Sequence, residues 1–367
     1  MKILHLEASP GWGGQEIRIL RESEGMRARG HQVVMGVMRG GGLIEPACKA
    51  GFTVVPLNFN KSHWFPCLYQ ILALIRFHQI DLINTHSSLD AWIGGVAGRI
   101  AGKPIVRTRH LSTPIKPGLN SKLLYGRFAD LIVTTCSSIL PMICSQSGKR
   151  ETDCQSIPTG VDPDKIRVKE GEAAKIRADL GVGPEEFLVG TACFMRSWKG
   201  IPDFLKAADI LRGLRDIKWV IIGGGHDQTY RQMAKEMKLE GRVHFTGHLE
   251  NPFPALAALD LFALLSTAHE GVSQAILQAA YLGKPLVSTP VGGLGEVCRD
   301  RISGIQVPPF SPDKTARAVL ELKEQNALRE TFGRNAKNLV MENFTLAQTI
   351  DQMESVYARA VCRRASH

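Results

Sequence analysis

The segment HEGVSQAILQAAYLGKPLVSTPVGG, residues 269–293, sets one carboxylate, Glu270, and Gly271 at the mouth of a helical run. Its second polar anchor, eight residues on, is an amide, Gln278. Backbone N–H groups at a helix start attract anions and a carboxylate accepts hydrogen bonds from hydroxyls, so Gly271, Val272 and Ser273 suit a phosphate and Glu270 a sugar. Gln274 and Gln278 share one helix face, and Ile276, Leu277 and Ala280 are expected against a sheet. In MRSWKG, residues 195–200, Arg196 and Lys199 offer two cations for a diphosphate, each charge-assisted contact contributing roughly 1.5–3 kcal/mol. Gly11, Gly13 and Gly14 in ASPGWGGQE let backbone amides approach an anion, helped by a helix start worth about 0.3–1 kcal/mol. The spacing is G-x-G-G and no acidic residue ends the following strand, so a dinucleotide fingerprint is not met. Gly224, within IIGGGHDQ, is a further place where backbone could approach a nucleotide. His86 in INTHSS, with Arg109 and His110 in VRTRHLST, end two strands and are expected to line one crevice. The plain alternatives are a tight turn without ligand at Gly13, a solvated basic loop at Lys199, and structural histidines.

Positioning these residues requires strands, because the motifs fall just after apolar runs. KILHL, QVVMGVM, FTVVPL, LINTH, PIVRTR and LIVTTC in the first half, then FLVGTACF, KWVIIGG, RVHFTG, LFALLS and KPLVSTP in the second, alternate with helices expected over 15–29, 64–78, 89–101, 200–213 and 226–239. This is the pattern of parallel sheets with helices on both faces, in which ligands bind at the carboxyl ends of strands. The fold class is α/β, with two Rossmann-like doubly wound domains facing a cleft, as a chain of 367 residues has room for two cores. IPTGVDPDKIRVKEGEAA, polar and without period, is the expected linker, and the last sixty or so residues read as three helices.

The formal charge of +10 is unevenly placed: residues 1–170 hold 21 Lys and Arg against 13 Asp and Glu. Anionic lipid headgroups or a phosphorylated acceptor fit that surface. Nucleic acid does not, since no binding motif is present and aromatics make up 7%. Eight cysteines with no C-x-x-C pair suggest neither zinc nor a disulfide framework. No apolar run reaches the roughly 18 residues of a membrane span, and MKILHLEASP reads as a buried strand, so a cytoplasmic location is expected, peripheral at the inner face of the membrane.

From the GWGG loop through IPTGVD and RSWKG to ALDLFALLSTAHEGVSQAILQAAYLGKPLVSTPVGGLGEV, the chain resembles family 4 of the glycosyltransferases, retaining enzymes of the two-domain GT-B fold (glycosyl transferases group 1). The resemblance implies an acceptor-side domain over 1–165, onto which residues 345–367 pack back, and a nucleotide-sugar domain over 166–344. It implies Lys199 on the diphosphate, Glu270 on sugar hydroxyls, Gln278 in the ribose position, Gly13 and Gly14 near the phosphates, and His110 near the anomeric centre. His110 and Glu270 are then the catalytic candidates; no cofactor or metal is implied. The partners implied are a nucleotide-diphosphate sugar and a glycan or glycolipid acceptor such as lipopolysaccharide core, O-antigen or a lipid-linked saccharide. A GT-B sugar-nucleotide epimerase and an inactive nucleotide-sugar-binding scaffold are the alternatives.

Three positions depart from the family pattern: Gln278 stands for its Glu, Phe194 for its Arg, and Thr159 for the Asn of IPNGVD. Arg196, two positions along, is expected to substitute for the absent Arg. A carboxylate at 278 would grip ribose but repel a diphosphate by about 2 kcal/mol at roughly 8 Å and an effective dielectric near 20, and the amide avoids that repulsion.

Overall fold

The computed structural model describes residues 1–365; positions 366 and 367, the tip of the segment expected to pack on the first domain, lie outside the described residues. The chain divides into two compact units, Met1–Thr159 with the C-terminal helix from Ala347, and Gly160–Leu346.

Each unit is built on one parallel sheet. The first contains β1 (Lys2–Glu7), β2 (Gln32–Met38), β3 (Thr53–Leu57), β4 (Leu82–Thr85), β5 (Ile105–Arg109), β6 (Leu131–Thr134) and β7 (Cys154–Ser156), in spatial order β3-β2-β1-β4-β5-β6-β7. The second contains β8 (Phe187–Ala192), β9 (Ile217–Ile222), β10 (Val243–Gly247), β11 (Leu261–Leu264), β12 (Leu286–Ser288) and β13 (Gly304–Gln306), in order β10-β9-β8-β11-β12-β13. Strands such as β8, FLVGTA, are buried along their whole length, which is why they appear in the sequence as continuous apolar runs with little alternation. In both sheets the winding direction reverses once, between β1 and β4 and between β8 and β11. A doubly wound sheet opens a crevice at such a reversal.

The expected strands are present, with two additions: β7 and β13 have only three residues each, too short to register as a period. The expected linker contains the boundary between the units, Thr159/Gly160, and its remainder is structured within the second unit. Val161 is buried and bridges Thr345, its N–H reaching the Phe344 carbonyl at 2.8 Å, and Glu172–Asp179 is helical. Isolated apolar anchors, Val161 and Ile166, hold this polar stretch without giving it a period.

The three closing helices are Pro312–Glu324, Asn326–Asn343 and Leu346–Ala365. The last buries Ile350, Met353, Val356, Tyr357 and Ala360, one helical stripe, within the first unit. There a Cβ at Gly25 would stand 2.6 Å from Ile350, so helix Gly14–Ala28 admits this partner only because the position is glycine. Arg29 and His31 fix its outer edge through Glu354 at 2.6 and 2.8 Å. In the second unit Trp219, fully buried, meets Phe204 edge-on with centroids 4.9 Å apart at the centre of the core.

Candidate active site

In the second unit, the loop after β8 carries Arg196 and Lys199 and the loop after β11 carries Glu270, so the sheet reversal brings them together. The Trp198 carbonyl accepts the Thr267 N–H at 2.8 Å, lacing the two loops. Gly200, at φ 70°, lies where a Cβ would sit 1.9 Å from the Leu265 carbonyl oxygen, so the turn that delivers Lys199 to the end of β11 requires glycine. Lys199 Nζ then donates to Glu270 Oε1 at 2.5 Å, and Ser266 Oγ donates to the same oxygen at 2.7 Å. Glu270 is buried. An ammonium has three donors, and Glu270 takes one of Lys199's. His269, immediately before Glu270, holds φ 62° and sets its ring edge-on to Trp198 at 5.4 Å. A left-handed conformation at a non-glycine costs on the order of 1–3 kcal/mol and concentrates at functional sites.

The helix after this loop runs Gln274–Tyr281 with Ser273 as N-cap and no side-chain cap bond, leaving its first amides to other acceptors. Ile276, Leu277 and Ala280 are buried as expected, and Gln278 is half-buried with no side-chain hydrogen bond among the described residues. Gln274 instead donates to the Gly160 carbonyl at 2.9 Å. The Arg196 guanidinium lies 5.3 Å from the ring centres of both Phe194 and Trp198, a cation held between two aromatic faces. Gly223–Gly225 follow β9: the Gly224 carbonyl accepts the Met195 N–H at 2.8 Å, so this glycine turn is tied to the Arg196 loop.

In the first unit, Gly13 is the N-cap of helix Gly14–Ala28 and makes no side-chain cap bond. The loop is shaped from beneath by Glu7, at the end of β1, whose carboxylate accepts from Ser9 N at 2.6 Å, Ser87 Oγ at 2.5 Å and Gln15 Nε2 at 2.5 Å. Asp90 alongside accepts from Ala8 N and Ser87 N, both at 2.9 Å. Burial raises the pKa of both carboxyls; the Glu7 charge adds to the rise at Asp90, and the Glu16 charge adds a smaller part at Glu7. Sequence reasoning missed this pair; the available signal was an acid ending an otherwise apolar strand just before a glycine loop.

The two candidate histidines stand together as expected, with His86 Nδ1 3.0 Å from His110 Nε2. A third, His5 of β1, extends the row, its Nδ1 2.9 Å from His86 Nε2. Burial pushes the pKa of His5 down to about 3, and those of His86 and His110 well below the usual imidazole value, with the Arg18 and Arg107 charges adding to the effect on the latter two. Arg109 turns its guanidinium to the Tyr125 hydroxyl at 2.6 Å and to the Thr113 carbonyl, so two of its donors are used within the chain. The segment KLLYGR is a π-helical turn, Lys122–Arg127, that buries Leu124 and Tyr125; the irregular turn places the Tyr125 ring 4.6 Å from the Arg107 guanidinium. Lys122 and Arg127 are exposed.

Residues 172–339 match the family model for glycosyl transferases group 1, and residues 12–165 match that for glycosyltransferase family 4. An uncharacterised glycosyltransferase of Methanocaldococcus jannaschii is 28% identical over 84% of this chain and 81% of its own length. The UDP-Gal:alpha-D-GlcNAc-diphosphoundecaprenol alpha-1,3-galactosyltransferase of Escherichia coli is 23% identical over 99% of this chain and 98% of its own. Among solved structures, HepE of Anabaena in complex with UDP-glucose has the same fold, with a TM-score of 0.85 at 24% identity over 98% of this chain and 100% of its own. Fold and site thus define a transferase of the GT-B type. The chain belongs to the glycosyltransferases of family 4, its two halves matching the two models in order.

Proposed function

We propose that this enzyme moves a sugar, with retention, from a nucleotide-diphosphate sugar to a glycan or glycolipid acceptor of the cell surface. The observation that carries this reading is the Lys199–Glu270 pair beside the uncapped helix start at Ser273. Lys199 keeps one donor on Glu270 and turns the others to the diphosphate, joined by the amides of Gly271, Val272 and Ser273. Glu270, restrained by Lys199 and Ser266, accepts hydrogen bonds from sugar hydroxyls. A buried carboxylate held in an ion pair is a blunted nucleophile, which favours attack of the acceptor on the same face that the leaving group departs from, the diphosphate oxygen taking the acceptor's proton. Gln278 binds ribose, and Arg196, braced by Phe194 and Trp198, replaces the family's arginine at the diphosphate. Gly224 backs the nucleotide. Within the first unit, Gly13 and Gly14 are the candidates for phosphate, His110 for the sugar, and His86 and Arg109 for the acceptor. Lys199 and the helix amides provide the neutralisation that a divalent ion gives elsewhere, so turnover is expected to survive chelation by EDTA.

UDP-sugars are the first donors to test, because HepE was solved with UDP-glucose and the E. coli relative's name specifies UDP-Gal. That same name specifies a diphosphoundecaprenol acceptor, which favours a lipid-linked saccharide here. No described helix is long and apolar enough to cross a membrane. Helix Trp64–Phe77 exposes Phe65, Tyr69 and Phe77 beside Arg76 on a stretch, 61–78, without acidic residues, and this favours attachment to an anionic membrane surface. The test is a thermal-shift series with UDP-, GDP-, ADP- and CMP-sugars, followed by mass analysis with and without lipid-linked acceptor. A donor at 100 times its Kd stabilises by about 2.7 kcal/mol. Sugar appearing on the acceptor supports the reading; free nucleotide without acceptor marks an epimerase, and binding without turnover a scaffold. Absence of flotation with anionic vesicles at low salt removes the membrane part.

A further inference from the structure

His5 lies within β1, and His86 and His110 directly follow β4 and β5, the next strands in the sheet. Their rings form a file with centroids 5.2 Å apart at each step, His5 and His86 buried and His110 half-buried. The two N···N contacts are 2.9 and 3.0 Å, so each holds one proton. A neutral imidazole has one N–H and one lone pair. Both contacts can therefore be satisfied only when all three rings point the same way, which leaves two arrangements. In one, His5 Nδ1–H donates to His86 Nε2, His86 Nδ1–H donates to His110 Nε2, and His110 carries its proton on Nδ1. In the other the direction reverses, His110 is protonated on Nε2, and the file ends on an N–H at His5 Nε2.

The far end decides between them. His5 Nε2 is buried with no hydrogen-bond partner. An orphaned buried donor is rarer than an under-satisfied acceptor, so the lone pair belongs at that end and the proton at the other. Burial, with the positive charges of Arg18 and Arg107 adding to it at His86 and His110, opposes an added proton and keeps the rings neutral. The Nδ1 of His110 has no partner among the described residues.

We infer that His86, oriented by His5, is a positioning residue that locks His110 as its Nδ1–H tautomer, so that His110 presents a hydrogen-bond donor to its ligand and never a general base. The inference deepens the proposed role of His110 in sugar transfer and rests on it for its meaning. The tautomer, however, is a property of the ligand-free enzyme and is measured without donor or acceptor.

The experiment is long-range proton–nitrogen correlation on the full chain labelled with nitrogen-15 histidine, assigned by single His→Gln variants. The expected result for the wild type is one set of His110 signals, with Nδ1 bearing the proton and Nε2 bare, and the same sense at His86. His5→Gln, whose amide can still donate to His86 Nε2, is expected to keep that pattern, whereas His86→Leu is expected to replace it at His110 by an average of two tautomers. A wild-type His110 protonated on Nε2, or already averaged, overturns the inference. So does an unchanged His110 pattern in His86→Leu. The wild-type spectrum, with His110 assigned by His110→Gln, decides even if His86→Leu fails to fold. A wrong tautomer with normal UDP-sugar binding would sink this inference alone, and the right tautomer without any donor binding would sink only the reading of the site.

Discussion

Lys199→Met separates stability from binding in a way that few other changes to this enzyme would. In the second unit the Lys199 and Glu270 side chains are 17% and 6% exposed and meet at 2.5 Å. Removing the ammonium leaves a buried carboxylate without its Lys199 counter-charge, still accepting from the Ser266 hydroxyl. Breaking a buried pair on one side costs about 3–5 kcal/mol, and the partial exposure of Lys199 argues for the lower end, near 3 kcal/mol. For a unit of this size that is a loss of roughly 6–12 °C in Tm. Glu270→Gln, which strands the ammonium nearer to solvent, is expected to cost less. The double variant Lys199→Met with Glu270→Gln removes both charges, so most of the stability returns, with a coupling of about 2 kcal/mol. Donor affinity should behave differently. Lys199 contributes a charge-assisted contact to the diphosphate, and its loss weakens binding by about ten- to a hundredfold. The double variant regains none of that. Scanning calorimetry and titration calorimetry with a UDP-sugar read the two quantities on the same samples. A double variant no more stable than Lys199→Met, or a Lys199→Met enzyme that binds donor like the wild type, refutes the reasoning.

Arg196→Ala is expected to weaken donor binding by roughly tenfold through loss of a phosphate contact, with little change in Tm, because the side chain stacks on exposed Phe194; unchanged affinity by titration calorimetry contradicts its role. Gln278→Ala should raise the Kd about fivefold, one neutral hydrogen bond, and Gln278→Glu should change kcat/KM by less than about tenfold. A gain of orders of magnitude in the Glu variant would mark position 278 as a decayed site. Burial lowers the His5 pKa from 6.5 to about 3, so the unfolded chain takes up a proton that the folded chain refuses. That contribution to stability is present above pH 6.5 and is lost as pH falls toward about 3, at about 1.4 kcal/mol per pH unit. Urea melts of His5→Gln should therefore gain on the wild type by that slope between about pH 6 and 4; parallel curves contradict it.

The sheets were legible because buried strands such as VVMGVM and the WVII of β9 are apolar without interruption, while the three-residue strands Cys154–Ser156 and Gly304–Gln306 carry too little pattern to stand out. Family and GT-B fold followed from motif order, and both comparisons agree. Sequence order brought Arg196, Lys199 and Glu270 to strand ends, but their mutual pairing depends on the β8/β11 reversal, a tertiary fact. Buried polar groups were hardest to read. His5 and Glu7 lie in a strand that scores as core, and nothing local says that His5 completes a file with two residues more than eighty positions away. Arg109, beside His110 in sequence, turns instead to Tyr125, whose place depends on an irregular π turn.

The most direct test of the account is a crystal of this enzyme soaked with a UDP-sugar. The diphosphate is predicted to lie within hydrogen-bond distance of Lys199 Nζ and of the amides of Gly271, Val272 and Ser273, with the sugar on Glu270. Density for the nucleotide away from both groups would contradict the central claim.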